Sequence, residues 1–298
     1  MKPKLFIYVC FIVESQLVLA QSSVKNTNEY LNQVPPGLVP KVFAPGLVSL
    51  NDQLEFGSVF SKDGKEFFYA IDVHGKAETR VMKLVNQKWT SSEQILVGEK
   101  YSYNDPFLSP DETKLYFISD RAMDGTGEKK DYDIWYIQRT GLKWSAPINA
   151  GKAINTEKNE YYVSFSQKGD LYFSSNRGTK EKGYDIYRST LSQGIFQQAI
   201  ALKETVNTQY YEADVFVAWD ESYLIFCADR PEGYGKGDLY ISFKGENGTW
   251  TQAKNLGKAI NTSGHELCPF VTRDGKYLFY SSNNDIYWVS MDVLKKQN

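Results

Sequence analysis

Short apolar runs separated by turn residues organise this chain, with no long amphipathic stretch among them. Across residues 50–292 the runs are rich in Phe, Tyr, Val and Ile and bounded by Gly, Asp, Asn and Pro. That pattern predicts β-strands, and the absence of a sustained helical period argues against helices. Three phrases recur along it in fixed order. A turn comes first, at Asp63-Gly64, Asp111-Glu112, Lys168-Gly169, Asp220-Glu221 and Asp274-Gly275. An aromatic strand ending in a polar phrase comes next: Phe117-Ile118-Ser119-Asp120-Arg121, Phe173-Ser174-Ser175-Asn176-Arg177, Phe226-Cys227-Ala228-Asp229-Arg230 and Tyr280-Ser281-Ser282-Asn283. Last comes Asp133-Ile134-Trp135, Asp185-Ile186-Tyr187, Asp238-Leu239-Tyr240 or Asp285-Ile286-Tyr287.

From turn to turn the spacing is 48, 57, 52 and 54 residues, the length of one four-stranded propeller blade. Each unit reads as an inner strand before the turn, an aromatic strand after it, the Asp-Ile-Tyr strand, and an outer strand opened by Trp89, Trp144, Phe196 or Trp250. The fifth unit ends near Asp292 without an outer strand, while Val42, Phe43 and the residues up to Val48 form a strand without a blade, Ala44-Pro45 matching Ala146-Pro147. The predicted fold is therefore an all-β propeller of five four-stranded blades over 41–292, closed by the N-terminal strand joining the last blade. Such closure leaves few open sheet edges. Six blades are the alternative, but residues 21–40 are too few to build one.

Composition narrows the function classes. Aromatic residues make up 15% of the chain and hydrophobic residues 42%, enough for a substantial core. The net charge of −2 and the lack of a basic stripe argue against a nucleic-acid partner. At the N-terminus, Lys2 and Lys4 precede an apolar run over 5–13 that is too short to span a bilayer, and Val18 and Ala20 suit a signal-peptidase site, although Glu14 interrupts the pattern. A signal peptide over 1–20, cleaved after Ala20, a linker over 21–40 and a tail over 293–298 are expected. The product would be a periplasmic or secreted monomer with no membrane-spanning segment. Cys227 and Cys268 lie inside apolar strand patterns and read as buried free thiols.

The repeat as a whole resembles the WD40-like PD40 unit. The carrying phrases are Asn-Thr-x3-Glu, Ser-x-Asp-Gly, Leu-Tyr-Phe-Ser-Ser-Asn-Arg and Gly-x-Asp-Ile-Tyr, clearest in units two to five. In unit one Ile71-Asp72-Val73 and Thr79-Arg80-Val81 replace the usual phrases. The resemblance implies a propeller like that of TolB and of Bacteroidetes envelope proteins. Relatives often carry a peptidoglycan-binding domain of the OmpA type, for which no segment is read here.

The candidate chemistry follows the repeat. Asn155-Thr156 precedes Glu160, Asn207-Thr208 precedes Glu212 and Asn261-Thr262 precedes Glu266, each Glu opening an inner strand. Glu55 and Tyr103 hold the matching places in the first two units. A ring would gather these side chains and the neighbouring His265 at one channel mouth, as a binding site. Several carboxylate oxygens there would take a hard cation such as Ca2+, and no other cofactor is expected. The competing reading, favoured by recurrence in nearly every blade, is that the Asn-Thr pairs cap turns and the Glu side chains tie down backbone. Asp133, Asp185, Asp238 and Asp285 are read as loop-amide acceptors, Arg121, Arg177 and Arg230 as loop clamps, and Trp89, Trp144 and Trp250 as packing between blades. No nucleophile elbow, zinc-protease pair or phosphate loop is present. The expected function is binding of an envelope protein or glycan, with the loops 122–132, 178–184 and 231–237 as partner surface. The enzyme alternative is a glycoside hydrolase or polysaccharide lyase using Asp105, Glu160, Glu212, Glu266 and His265, Asn104-Asp105-Pro106 resembling the entry motif of five-bladed glycosidases.

Overall fold

The computed structural model describes residues 29–96, 100–141, 143–178 and 183–295; the signal peptide expected over 1–20 lies outside them. Five antiparallel sheets carry the chain. Their inner strands are Leu54–Phe60, Asn104–Leu108, Glu160–Phe165, Tyr211–Val217 and Leu267–Val271. Each inner strand packs on that of the next blade, and the fifth packs on the first, so the sheets form a closed five-bladed propeller. Second strands such as Leu171–Ser175 are buried along their whole length, because neighbouring blades cover both faces. That is why they read as continuous apolar runs instead of alternating ones.

The ring closes as the termini predict. Lys41–Val42 pairs antiparallel with Asp285–Ser290, Val42 opposite Tyr287, and the Phe43 N–H donates to the Ile286 carbonyl at 2.7 Å. The strand is shorter than the expected 42–48. Ala44 takes a positive φ of 45°, and the chain turns there, with the Leu47 and Val48 N–H groups both donating to the Ala44 carbonyl. What the short strand loses in ladder it regains in packing. Phe43 is wholly buried, its ring 5.0 Å from Phe279, 5.2 Å from Phe67 and 5.2 Å from Trp288, a wedge between first and last blades.

Three boundaries differ from expectation. Tyr30 and Leu31, inside the stretch read as a linker, belong to the core, Tyr30 standing edge-on to Phe60 at 5.4 Å and to Tyr277 at 5.1 Å. The tail begins inside a helical turn, Asp292–Lys295, whose Val293 is buried. In blade three the outer strand is Ile200–Ala201, while Phe196 sits in a separate ribbon of Leu191–Ser192 with Ile195–Phe196; in blade four it is Lys254–Asn255, beyond Trp250. The aromatic residue thus opens a hairpin, and the outer strand pairs a few residues later.

Every inner strand carries a β-bulge at the same place, two residues after the Glu position. The bulged residues are Gly57, Asp105, Tyr162, Asp214 and Cys268, with φ between 46° and 52°. A bulge leaves one residue out of the ladder and re-aims its side chain. Here it directs the side chains of Asp105, Tyr162, Asp214 and Cys268 towards the axis, and in the first blade Gly57 leaves space instead.

Candidate functional site

The repeated glutamates form clasps. Glu160 is wholly buried and accepts the Thr156 N–H at 3.0 Å, the Thr156 hydroxyl at 2.8 Å, the Ser175 hydroxyl at 2.8 Å and an Arg177 N–H at 2.9 Å. Glu212 repeats the arrangement with Thr208 and with Arg230, which donates through two nitrogens at 3.1 and 3.2 Å. Glu266 keeps the Thr262 contacts and adds the Ser282 hydroxyl at 2.8 Å. The preceding Asn completes each clasp: Asn155 both accepts from the Ile134 N–H and donates to its carbonyl, Asn207 does so at Ile186, and Asn261 at Leu239. One phrase therefore pins the start of the inner strand in blades three, four and five to the third strand of the blade before it.

These carboxylates face into the blades, so the shared mouth expected of Glu160, Glu212 and Glu266 does not form. Glu55 is equally buried and accepts the Leu50 N–H at 3.2 Å, and burial, the largest cause, pushes it up to about 7. Tyr103 packs edge-on against Phe117 at 5.6 Å, and its carbonyl accepts the Thr79 hydroxyl. The other structural readings fare variously. Asp238 accepts the Tyr234 and Gly235 N–H groups. Arg177 and Arg230 clamp glutamates, but Arg121 lies over the Tyr101 and Trp135 rings. Trp250 meets Tyr172 of the neighbouring blade edge-on, and both cysteines are buried and free.

The side chains that do converge are those of the bulges. Asp105, Asp214 and Cys268 line a cavity of about 330 Å3 at the face where the inner strands begin. Its wall is made by Phe56, Asn104, Tyr161, Tyr184, Tyr211 and Leu267, and His265 stands exposed at the rim, its Nε2 3.4 Å from the Cys227 sulfur. Tyr161, Tyr184 and Tyr211 come from two successive blades, with ring centroids 5.6 and 5.7 Å apart in edge-to-face contact. Gly57 leaves room for the first carboxylate: a Cβ there would stand 2.6 Å from Asp105 Oδ1, and its φ of 51° disfavours other residues besides.

Below the carboxylates the axis is sealed. The Tyr162 hydroxyl crosses from blade three to donate to the Pro269 carbonyl of blade five at 2.8 Å. Deeper still, Phe107 lies 6.3 Å from Phe165 and 6.1 Å from Phe270, which is 6.0 Å from Phe216, so rings from four blades meet at the axis. The site is a pit and not a tunnel. A second cavity of about 340 Å3 opens on the opposite face above these rings, but three of its charged groups are engaged. Glu112 accepts the Lys62 N–H, Arg273 lies over Trp219, and Asp274 accepts the Thr272 hydroxyl at 2.7 Å.

Burial raises the clasp acids Glu160 and Glu212, whose Thr and Arg donors oppose it, and it raises the pit acids, which have few donors. Burial, with the nearby Asp214 adding to it, pushes Asp105 up to about 8. Burial likewise raises Asp214, against the opposing Cys268 N–H and His265, and both carboxylates with burial hold the Cys268 thiol well above its ordinary range. Of the residues singled out in the sequence, Asp105 and His265 reach this pit. Asp214, Tyr161, Tyr184 and Tyr211 were not anticipated, and Cys268 was read only as a buried thiol. Among the described residues no three His, Cys, Asp or Glu side chains are grouped to hold a metal ion.

Neither a family model nor a characterised protein matches the sequence. Solved structures do match the fold. TolB from Acinetobacter baumannii aligns with a TM-score of 0.52 at 15% identity, over 81% of this chain and 55% of its own. A chain described as TolB from Agrobacterium tumefaciens gives 0.53 at 15% identity, over 83% and 80%. This chain is a TolB-like β-propeller in fold. It spans about half the length of the Acinetobacter protein. A gluconolactonase from Xanthomonas campestris also aligns, at 12% identity over 86% of this chain and 96% of its own, with a TM-score of 0.45. The shared architecture does not by itself transfer a function.

Proposed function

We propose that this TolB-like propeller is an exported, non-catalytic binding module of the cell envelope, its axial pit receiving a group from a protein or glycan partner. The observation that carries the reading is the pit itself: a blind cavity of about 330 Å3 walled by half-buried tyrosines over carboxylates. Ligand sites commonly combine such an aromatic wall with a few convergent polar groups, in volumes of about 300–1,000 Å3. The resemblance of the repeats to PD40 units and the likeness in fold to TolB support an envelope location. The loops 122–132 and 231–237 border the same face, and the second is fastened to blade five by the Lys236 N–H on the Gly264 carbonyl at 2.8 Å.

The test is capture from envelope extract and from glycan arrays by immobilised protein. Tyr184→Ala with Tyr211→Ala should abolish capture while leaving the fold intact. Capture that survives both substitutions would place the partner elsewhere on the surface. A second reading, carbohydrate cleavage, draws on Asp105 and Asp214, two neighbouring acids of which Asp105 holds its proton up to about 8. Turnover on a glycan panel, lost in Asp105→Asn or Asp214→Asn, would replace the binding reading with that one.

A further inference from the structure

Two carboxylates share the bottom of the axial pit, and among the described residues no lysine or arginine lines it. Asp105 is 7% exposed and lines the cavity, yet its one hydrogen-bond partner among the described residues is the Cys268 thiol, 3.5 Å away. A thiol is a weak donor, so no N–H or O–H group among the described residues satisfies this acid. Among the described residues Asp214 receives a single backbone N–H, that of Cys268, at 3.3 Å, and touches the same sulfur at 3.9 Å. His265 also lines the site, and it stands at the rim against Cys227. Elsewhere in this protein the acids Glu160 and Glu212 are each given an arginine. Charge buried without a partner is costly, and two adjacent acids in one cavity compound the cost.

The wall suggests what would relieve it. Above the acids stand Phe56, Tyr161, Tyr184 and Tyr211, whose ring faces attract cations and whose carbon surface prefers alkyl groups. A bare hard metal ion suits this wall poorly, since such ions take about six to eight oxygens and the pit offers the two carboxylates and Asn104. A protonated amine on a short alkyl chain uses both halves of the cavity, with its charge at the acids and its methylenes along the rings.

The geometry points to the axial pit as a receptor for an alkylammonium group, supplied either by a lysine side chain of a protein partner or by a free aliphatic amine. The inference rests on the reading of the pit as the binding site and specifies the chemistry of its occupant. The site is built as a ring of five equivalent bulges in which glycine makes room, a tyrosine closes the floor, and the two acids and the thiol share the bottom.

The experiment is calorimetric or NMR titration of the folded protein with n-pentylammonium, with N-acetyl-lysine methylamide and with 1-pentanol as the neutral isostere. Saturable binding of pentylammonium, at least tenfold tighter than pentanol, is expected, and Asp105→Asn with Asp214→Asn should erase that preference. Tyr184→Ala, at a half-buried position, should weaken both ammonium probes without loss of fold. Equal affinity for pentanol and pentylammonium, or a preference that survives removal of both acids, would overturn the inference. The two sources separate cleanly: N-acetyl-lysine methylamide binding as well as pentylammonium fits a protein partner, whereas its rejection beside tight pentylammonium binding fits a free amine. If Tyr184→Ala abolishes partner capture but no ammonium probe binds, the cation inference fails and the pit reading stands. If ammonium probes bind but partner capture ignores the pit variants, the pit reading fails and the cation site stands.

Discussion

Two positions on the same inner strands, only two residues apart, treat acidic side chains in opposite ways. At the first, Glu160 and Glu212 are wholly buried and surrounded by donors from Thr, Ser and Arg. At the second, Asp105 and Asp214 are turned to the axis by a bulge and left almost without donors. The first arrangement is what a fold needs from a buried charge; the second costs stability, and such costs persist where function uses them. Recurrence separates them too. The clasp is nearly the same in blades three, four and five, whereas the bulge holds Gly57, Asp105, Tyr162, Asp214 and Cys268 in turn. Within a repeat protein, what recurs builds the ring, and the position that varies is where a particular ligand can be addressed.

The comparison can be broken most forcefully at the clasp. Glu212→Ala leaves Arg230, with 3% of its side chain exposed, as an uncompensated buried charge. Breaking a buried pair in this way costs about 3–5 kcal/mol, so denaturant unfolding should show a loss of that size, and a loss below about 1 kcal/mol would contradict the clasp. The pit acids can be tested through pH. Asp105 is raised from 3.8 to about 8 in the folded protein, so between these values the folded state holds a proton the unfolded state has released. Its contribution to stability therefore falls as pH rises, by up to about 1.4 kcal/mol per pH unit, and is lowest above about 8. Subtracting the unfolding curves of Asp105→Asn from those of the wild type across pH 5–9 should isolate this slope.

Smaller effects sharpen the floor and the wall. Tyr162→Phe removes the hydroxyl that satisfies the Pro269 carbonyl across the axis, at a cost of about 1–3 kcal/mol in thermal or chemical unfolding. Tyr184→Ala, at a half-buried ring, should cost about 1 kcal/mol or less in stability while removing ligand capture, which distinguishes a wall residue from a core one.

Much of the architecture was legible because it repeats. The turn spacing gave the number of blades, and the orphan strand at 42–48 located the closure, although Ala44 ends that strand after Phe43 has lodged between the blades. The Asn-Thr-x3-Glu phrase marked the right end of the ring but could not say which way its carboxylate points. That is decided by donors from Ser175, Arg177, Arg230 and Ser282, which lie in a different phrase of the repeat. Asp214 escaped notice, and Cys268 was read only as a buried thiol, because a bulge has no signature in hydrophobic alternation; only its φ above zero brings those side chains to the axis. Asp105 was singled out for a resemblance to a glycosidase entry motif, and the structure gives it a different ground for interest, its want of a donor.

The most direct measurement is equilibrium unfolding at pH 8 of two variants that each neutralise one buried acid without changing its shape. Glu212→Gln should be clearly less stable than the wild type, because Arg230 loses its counter-charge, while Asp105→Asn should be more stable, because the anion in the pit is relieved. Opposite signs are the result this account predicts. Destabilisation of both, by similar amounts, would mean that the axial acids serve the fold just as the clasp acids do, and would contradict it.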